Sequence, residues 1–174
     1  AFLKTEYPDS ELTVFEPRGK EFVCLQENAK ELGIAPGNVV KGRPGMADES
    51  AYWLERGVAG RRMLSRKTSL DSIEIESRDL RKLLDIPVSF LRLELTDAEV
   101  DLLEEVADKL GNVENLVVEY RALFSGPQRL ASLMTSLGKA GFRTHIRERF
   151  GSPNPLFERN VVQRDFASDH RVTV

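Results

Sequence analysis

The sequence has very few of the residues from which cross-links and most metal sites are built. One cysteine, Cys24, and two histidines occur among its 174 residues. A single cysteine cannot form a disulfide within the chain, which fits a reducing compartment and leads us to expect a cytoplasmic location. The histidines, His145 and His170, lack the short spacing typical of zinc ligands, so no metal site is predicted, although a carboxylate-bound magnesium ion stays open.

Long apolar runs and a strong net charge are also missing. No segment approaches 18 consecutive apolar residues, the length at which a membrane-spanning helix is predicted. The net charge of −3 gives no overall attraction to nucleic acid or to an anionic membrane, and neither is expected as a partner. Motifs of serine hydrolases and phosphate-binding loops do not occur. The composition, 41% apolar and 30% charged, is that of an ordinary soluble protein, and the length predicts one domain over residues 1–174.

Short apolar strands alternate with amphipathic helices from residue 11 to residue 146. This order predicts an α/β fold with a mostly parallel sheet and helices on both faces. Gly33 and Gly141 stand where two of the helices are expected to end. Strands are predicted at 12–15, 38–41, 51–54, 72–76, 88–95, 116–120, 142–146, 161–162 and 171–174. Helices are predicted at 20–32, after Ser77, from Thr96 to about Leu110 and at 127–141. We expect a loop at 42–45 and a loop or irregular hairpin at 61–67.

Two of these helices begin at capping signals. Ser77 is a good N-cap for the short helix, which Pro87 closes. Thr96 and Glu99 have the spacing of a capping box, in which the Thr96 hydroxyl caps the helix and the Glu99 carboxylate reaches back to it. This role accounts for Glu99 without any catalytic function.

Three glutamates, Glu16, Glu94 and Glu119, lie at or near the carboxyl ends of predicted strands. In a parallel α/β sheet, ligands bind beyond these strand ends, where the strand order reverses. We therefore expect the three carboxylates to surround one hollow at a rim of the sheet. A carboxylate at the tip of the second strand accepts hydrogen bonds from ribose hydroxyls in nucleotide-binding folds, which favours Glu16 as a cofactor ligand. The alternative interpretation of Glu16 is a solvated strand end.

Several consecutive segments resemble one enzyme family. The stretch YPDSELTVFEPRGKEFVCLQENAKELG is similar to the second strand and following helix of the FkbM family of S-adenosylmethionine-dependent methyltransferases. FLRLELTDAEVDLLE is similar to that family's strand-to-helix signature, usually Lys-x-Asp-x-Glu-Gly-x-Glu. NVENLVVEYR and LASLMTSLGKAGFRTHI are similar to its next strand, helix and strand. The similarity covers roughly residues 1 to 147, and the order of the segments, rather than any single motif, makes it moderately specific.

The resemblance implies a seven-stranded Rossmann-like sheet, with S-adenosylmethionine as the cofactor. It implies transfer of a methyl group to a hydroxyl of a sugar or small natural product, and it places Glu16 at the position of the family's ribose-binding acid. The family's glycine-rich cofactor loop follows its first strand, and this sequence begins after both. Three explanations are open: the chain is an excerpt of a longer polypeptide, its N-terminus is proteolysed or disordered, or another segment, such as one from a neighbouring chain, fills the gap.

The catalytic residues that the resemblance implies are Glu94 and Glu119. Glu94 occupies the position of the signature Asp, and Arg92 stands where the family often has Lys. Glu119 matches the acid of a Glu-Tyr/Phe-His segment and is the remaining candidate for the general base. Residues 92 and 94 share a strand face, so an ion pair of these glutamates with Arg92 or Arg121 is the structural alternative. The chain departs from the family where Thr96, Asp97 and Arg121 replace a Glu, a Gly and the His.

Two functions remain after this comparison of motifs. The first is an O-methyltransferase with a small-molecule or carbohydrate acceptor. The second is a non-catalytic Rossmann-like module for binding or assembly, which the substitutions at Thr96, Asp97 and Arg121 favour and which a second copy of the chain could complete as a homo-oligomer.

Overall fold

The structure is a computed structural model that describes residues 2–46, 51–54, 63–65, 72–96, 99–122, 129–150 and 170–173. The chain forms two compact units, Ala1–Leu80 and Arg81–Val174. Compactness alone does not show that a unit folds independently, so the single domain expected over residues 1–174 stays a prediction. None of the helices in this described part of the chain is both long and apolar enough to cross a bilayer.

The first unit begins with two helices and a small parallel sheet. Helix α1 is Phe2–Glu6, and helix α2, Gly19–Glu31, is followed by Gly33 with a φ of 68°, as predicted for a helix end. Strand β1 (Val14–Phe15) pairs in parallel with strand β2 (Val39–Val40). Both strands lie within the predicted segments and are shorter than them.

The same unit contains a second, four-stranded sheet. Its strands are β3 (Gly42–Gly45), β4 (Ala51–Leu54), β5 (Met63–Ser65) and β6 (Ser72–Asp79). Their order is β3-β6-β4-β5, with β3 parallel to β6 and the other two pairings antiparallel. Only residues 55–62 connect β4 to β5. This connection is shorter than a parallel crossover requires, which explains why the two strands form a hairpin.

Strand β3 lies where the Gly-Arg-Pro-Gly composition predicts a loop, so that prediction was wrong. A Cβ on Gly42 would lie 2.1 Å from the backbone oxygen of Glu76, and only glycine permits this close approach of β3 to β6. Pro44 is tolerated because β3 is an edge strand of its sheet, where a missing N–H donor has no partner to lose. Glycine and proline, which often form turns, are therefore compatible with this edge strand.

The second unit is a four-stranded sheet with helices on the chain segments between its strands. Helix α3 (Leu80–Leu83) leads into it. The next elements are β7 (Val88–Thr96), α4 (Val100–Glu105), β8 (Val113–Ala122), α5 (Leu130–Lys139), β9 (Arg147–Phe150) and β10 (His170–Thr173). Their order in the sheet is β7-β8-β10-β9, in which β7 and β8 are parallel and β10 runs antiparallel to both of its neighbours. Gly141 follows α5 with a φ of 93°, as predicted.

The core of the second unit follows the two-residue period of its long strands. Leu93 and Leu95 of β7, and Val118 and Tyr120 of β8, are buried. Each such side chain stabilises the fold by about 1.5–3 kcal/mol when it is buried. The helices and the turn after α4 contribute further buried apolar residues: Val100, Leu102, Leu103, Val106, Leu110, Leu133 and Leu137. The other face of β7 carries the charged residues Arg92 and Glu94.

The α/β class is confirmed, but the predicted mostly parallel sheet is not what the described residues form. Three of their seven strand pairings are parallel and four are antiparallel. The difference comes from the β4–β5 hairpin in the first unit and from β10, which returns beside β8 in the second. The strongest predicted strands, β7 and β8, form a parallel pair along nearly their whole length.

The two predicted helix caps are wrong. Ser77 lies inside β6, and α3 begins only at Leu80. Thr96 is the last residue of β7, and Glu99 is itself the N-cap residue of α4, without a side-chain cap bond. The pairing of β7 with β8 continues as far as Thr96 and Arg121, so that Thr96 belongs to the strand rather than to a capping box.

The C-terminal part of the chain agrees with the sequence only in places. Residues 142–146, predicted as a strand, have no regular structure, and β9 begins just after them at Arg147. Strand β10 lies at His170–Thr173 and overlaps the predicted 171–174. The strand predicted at 161–162 and the helix start predicted at Pro127 lie outside the described residues.

Candidate functional site

Glu94 and Glu119 are register partners on the parallel strands β7 and β8. Arg92 lies two residues before Glu94, on the same face of β7. Its Nη2 donates to Glu94 Oε1 over 3.0 Å and to Glu119 Oε2 over 3.3 Å. We call these three residues the Glu119 cluster. The structure thus brings together two of the predicted site residues, and it shows the ion pairs with Arg92 that the sequence left open as the structural alternative.

The members of the Glu119 cluster differ sharply in burial. The side chain of Glu119 is 4% exposed, whereas those of Arg92 and Glu94 are each 53% exposed. A buried carboxylate is costly unless hydrogen bonds and opposite charge compensate for the lost solvent, and Arg92 supplies both. The cluster carries one positive and two negative charges, so it presents a half-exposed Arg and Glu above a carboxylate that solvent scarcely reaches.

Glu16 directly follows β1 in the first unit. Its backbone N–H donates to the oxygen of Val40 over 3.1 Å, which extends the pairing of β1 with β2 to this residue. Glu16 Oε1 accepts from the backbone N–H of Arg18 over 2.9 Å and from Arg18 Nε over 2.8 Å. Glu16 Oε2 accepts from Arg18 Nη2 over 2.8 Å. Pro17 lies between the two residues, and we call Glu16 and Arg18 the Glu16 site.

Arg18 changes the acidity of Glu16. Burial alone would raise the pKa of the Glu16 carboxyl, but the hydrogen bonds and the charge of Arg18 outweigh burial and lower that pKa below its ordinary value. Glu16 is therefore held as a carboxylate, the form that accepts hydrogen bonds at both oxygens. Its side chain is 17% exposed, so solvent and ligands still reach it.

The Glu16 carboxylate can accept hydrogen bonds from a ribose, but the Arg18 side chain limits how many hydroxyls it can bind at once. A carboxylate has about four acceptor positions, and Arg18 uses three of them. One ribose hydroxyl can bind to the position that remains, whereas two hydroxyls need a position that the Arg18 side chain now occupies. Glu16 is the only one of the predicted site residues that the sequence assigned to a cofactor, and the donor set suits that role.

The sheet topology does not join Glu16 to the other two glutamates. Glu16 continues the β1–β2 sheet of the first unit, while Glu94 and Glu119 lie in the sheet of the second unit. The hollow that the sequence predicts around all three carboxylates therefore stays a prediction. The two groups are described separately as the Glu16 site and the Glu119 cluster.

A third group of charged residues was not predicted from the sequence. Arg129, the N-cap residue of α5, donates from Nη1 to Asp101 over 2.6 Å and from Nη2 to Glu104 over 3.2 Å, both on α4. The Ser132 hydroxyl also bonds to Glu104, and the backbone N–H of Arg129 donates to the Tyr120 hydroxyl over 2.8 Å. The hydrogen bond to Asp101 raises the pKa of Arg129 against the opposing effect of burial, so this group ties α4, α5 and β8 together.

The sequence predicts only some of the contacts made by Arg129, Arg18 and Arg92. Asp101 and Glu104 are three residues apart and so share one helix face, which predicts a common cation but not which one. Arg18 follows Glu16 by two residues, and Arg92 precedes Glu94 by the same spacing. Within the described residues no group of three or more His, Cys, Asp or Glu is arranged to hold a metal ion.

Comparison with known proteins identifies no relative. No family model, no curated protein and no solved structure matches this chain. The geometry of the Glu16 site and of the Glu119 cluster is therefore interpreted without a homologous site for comparison.

Proposed function

We propose that the protein is an S-adenosylmethionine-dependent O-methyltransferase that acts on a hydroxyl of a sugar or small natural product. The observation that supports this most is the Glu119 cluster at the carboxyl end of the parallel β7–β8 pair. In α/β sheets this end of the strands is where ligands bind. The proposal includes a Rossmann-like sheet, in agreement with the motif resemblance, and a cytoplasmic location, in agreement with the single cysteine.

Glu119 is the general base of the proposed reaction. Hydroxyl groups are weak nucleophiles, and a carboxylate that accepts their proton makes the oxygen reactive. When bound, S-adenosylmethionine supplies an electrophilic methyl group. The chain's own residues orient the acceptor hydroxyl and take up its proton at the Glu119 carboxylate. Arg92 and Glu94, each half exposed, are the groups that an incoming acceptor meets first.

Glu16 is the cofactor ligand in this proposal. Its carboxylate accepts hydrogen bonds from the ribose hydroxyls. Most of the rate acceleration in such a transfer comes from holding the methyl donor and the acceptor hydroxyl in line. Removal of the hydroxyl proton is the only other chemical assistance that the reaction needs.

Tritium transfer tests this function. The polypeptide that the gene encodes, over its whole length, is incubated with S-adenosyl-[methyl-³H]methionine and the dialysable small-molecule fraction of a cell extract. We expect labelled methyl ethers, and we expect Glu119→Gln to lower the rate by roughly 10²- to 10⁴-fold. Glu114→Gln is the matched control, because Glu114 is an exposed glutamate on the same strand. No transfer by the native protein, or equal rates for the two variants, would count against the proposal.

A non-catalytic binding or assembly module is the second candidate. The observation that favours it is that Glu16, Glu94 and Glu119 each bond to an arginine, which is what purely structural carboxylates do. A second copy of the chain would then be the partner, in a homo-oligomer. Gel filtration with light scattering separates the two candidates, since a clean monomer that transfers methyl groups rules the module out.

A further inference from the structure

We propose that Arg18 determines the affinity of the Glu16 site, because its side chain occupies acceptor positions that a ribose diol needs. The cofactor ribose and the Arg18 guanidinium then compete for one carboxylate. This inference rests on the proposed function, since it takes Glu16 as the ligand of the ribose. It adds a residue whose removal tightens binding, which the role of Glu16 alone does not predict.

The competition follows from the number of acceptor positions. Two of the three hydrogen bonds on the Glu16 carboxylate come from the Arg18 side chain, through Nε to Oε1 and Nη2 to Oε2. The third comes from the Arg18 backbone N–H, which any residue at position 18 except proline retains. Removing the side chain therefore leaves about three positions for ligands, enough for both hydroxyls of a ribose. With the side chain in place, about one position remains.

A second carboxylate, Glu21, lies within reach of the Arg18 guanidinium. Arg18 Nη1 lies 3.5 Å from Glu21 Oε1, one helical turn along in the first turn of α2. The side chains of Arg18 and Glu21 are 41% and 42% exposed. The ion pair that must break, Arg18 with Glu16, joins side chains that are 41% and 17% exposed, and the contact with Glu21 offsets part of its loss. Arg18 can therefore swing from Glu16 to Glu21 when a ribose arrives, so that it reduces affinity without abolishing binding.

Binding measurements on the whole encoded polypeptide test the inference. Isothermal titration gives the Kd of S-adenosylhomocysteine for the native protein, for Arg18→Gln and for Arg78→Gln. Arg78 is a matched control in the same unit: it is also 41% exposed and pairs through Nε with a glutamate two residues away, Glu76, over 2.9 Å. We expect Arg18→Gln to lower the Kd by roughly two- to fivefold, the range set by an exposed ion pair, and Arg78→Gln to leave it unchanged.

A second pair of probes isolates the diol. Adenosine carries both ribose hydroxyls, and 2′-deoxyadenosine carries one fewer. Competition for acceptor positions predicts that Arg18→Gln tightens the binding of adenosine and leaves that of 2′-deoxyadenosine nearly unchanged, since one hydroxyl already fits beside Arg18. Equal gains for both nucleosides would show a general charge effect and would overturn the inference.

The outcomes separate this inference from the proposed function. If the native protein and Arg18→Gln bind S-adenosylhomocysteine with the same Kd, Arg18 does not compete, while the methyltransferase proposal stands. If Arg18→Gln binds more weakly, Arg18 assists the ligand and the inference is wrong. If Arg78→Gln tightens binding as much, the effect is not local and the inference is again wrong. Absence of binding by every form, to S-adenosylhomocysteine and adenosine alike, removes both proposals.

Discussion

Glu94 and Glu119 stand directly opposite each other on parallel strands, yet one carboxylate is half exposed and the other is almost fully buried. A single nitrogen, Nη2 of Arg92, donates to both. The two glutamates therefore share this donor, which matters more to the buried one because solvent does not replace it. This arrangement predicts that Arg92 and Glu119 are energetically coupled.

A double-mutant cycle measures that coupling. Arg92→Met keeps the aliphatic stem and removes the charge, and we expect it to destabilise the protein by about 1–2 kcal/mol because the buried Glu119 carboxyl loses a charged hydrogen-bond donor. In the Glu119→Gln background the same change should cost less, with a coupling energy of about 1 kcal/mol from urea denaturation. Paired with Glu114→Gln instead, Arg92→Met should be additive within about 0.5 kcal/mol. Additivity in both cycles would show that the pair contributes nothing.

The titration of Glu16 gives an independent prediction about Arg18. Burial acts to raise the pKa of Glu16, and the hydrogen bonds and charge of Arg18 reverse this, so Arg18→Gln should raise that pKa. The side-chain carboxyl shift in ¹³C NMR follows the titration directly. Arg78→Gln should leave the Glu16 titration where it is. A Glu16 pKa that does not rise in Arg18→Gln would mean that the contact does not persist in solution.

The lowered pKa of Glu16 also fixes the sign of a stability change with pH. The unfolded carboxyl titrates near its ordinary value of about 4.3, and the folded one titrates lower. The Glu16–Arg18 contact therefore stabilises the protein above about pH 4.3, and this contribution disappears as the pH falls through the folded pKa. Solvent screening keeps it below about 1 kcal/mol. Denaturation of the native protein and Arg18→Gln at pH 7 and pH 3 should show a larger difference at pH 7 than at pH 3.

Gly42 should tolerate no side chain. Gly42→Ala would place a Cβ 2.1 Å from the Glu76 backbone oxygen, and because backbone cannot rotate away we expect a loss of about 3 kcal/mol or more. Gly138→Ala is the contrasting change, since Gly138 lies inside α5, where an added Cβ would meet nothing within 4 Å and alanine is the better helix former. It should stabilise by about 0.5–1 kcal/mol. Thermal unfolding ranks the two variants, and a neutral Gly42→Ala would contradict the close β3–β6 approach.

The Tyr120 hydroxyl should stabilise the start of α5. It is fully buried and accepts a hydrogen bond from the backbone N–H of Arg129, so Tyr120→Phe should cost about 1–2 kcal/mol. Tyr7→Phe removes the same hydroxyl from a residue that is 62% exposed, and its effect should stay within about 0.5 kcal/mol. If the two substitutions prove equally mild in urea denaturation, the bond from Arg129 does not contribute to stability.

Sequence periodicity predicted the elements whose pattern is local. Gly33 and Gly141 follow helices α2 and α5 as predicted, and β7 and β8 form where apolar runs predict strands. Where the decisive contact is distant in sequence, the predictions fail: β3 depends on the approach of Gly42 to Glu76. The pairing of Thr96 opposite Arg121 likewise overrides a local capping signal.

The same distinction applies to the candidate site. Arg92 and Glu94 lie on one face of a strand, so their contact follows from the two-residue period. The contact of Arg92 with Glu119 depends on the register of β7 and β8, which no local sequence pattern specifies. Arg18 is two residues from Glu16, but this spacing alone does not show that its guanidinium bonds to both carboxylate oxygens.

The most direct test of the account is the binding of S-adenosylhomocysteine to the encoded polypeptide and to its Glu16→Gln variant, measured by isothermal titration calorimetry. We expect the native protein to bind and Glu16→Gln to bind roughly 10- to 100-fold more weakly, as the loss of charge-assisted hydrogen bonds requires. Glu27→Gln, a change at an exposed glutamate of α2, should bind like the native protein. No binding by the native protein, or equal affinity for Glu16→Gln, would contradict the assignment of Glu16 as the cofactor ligand.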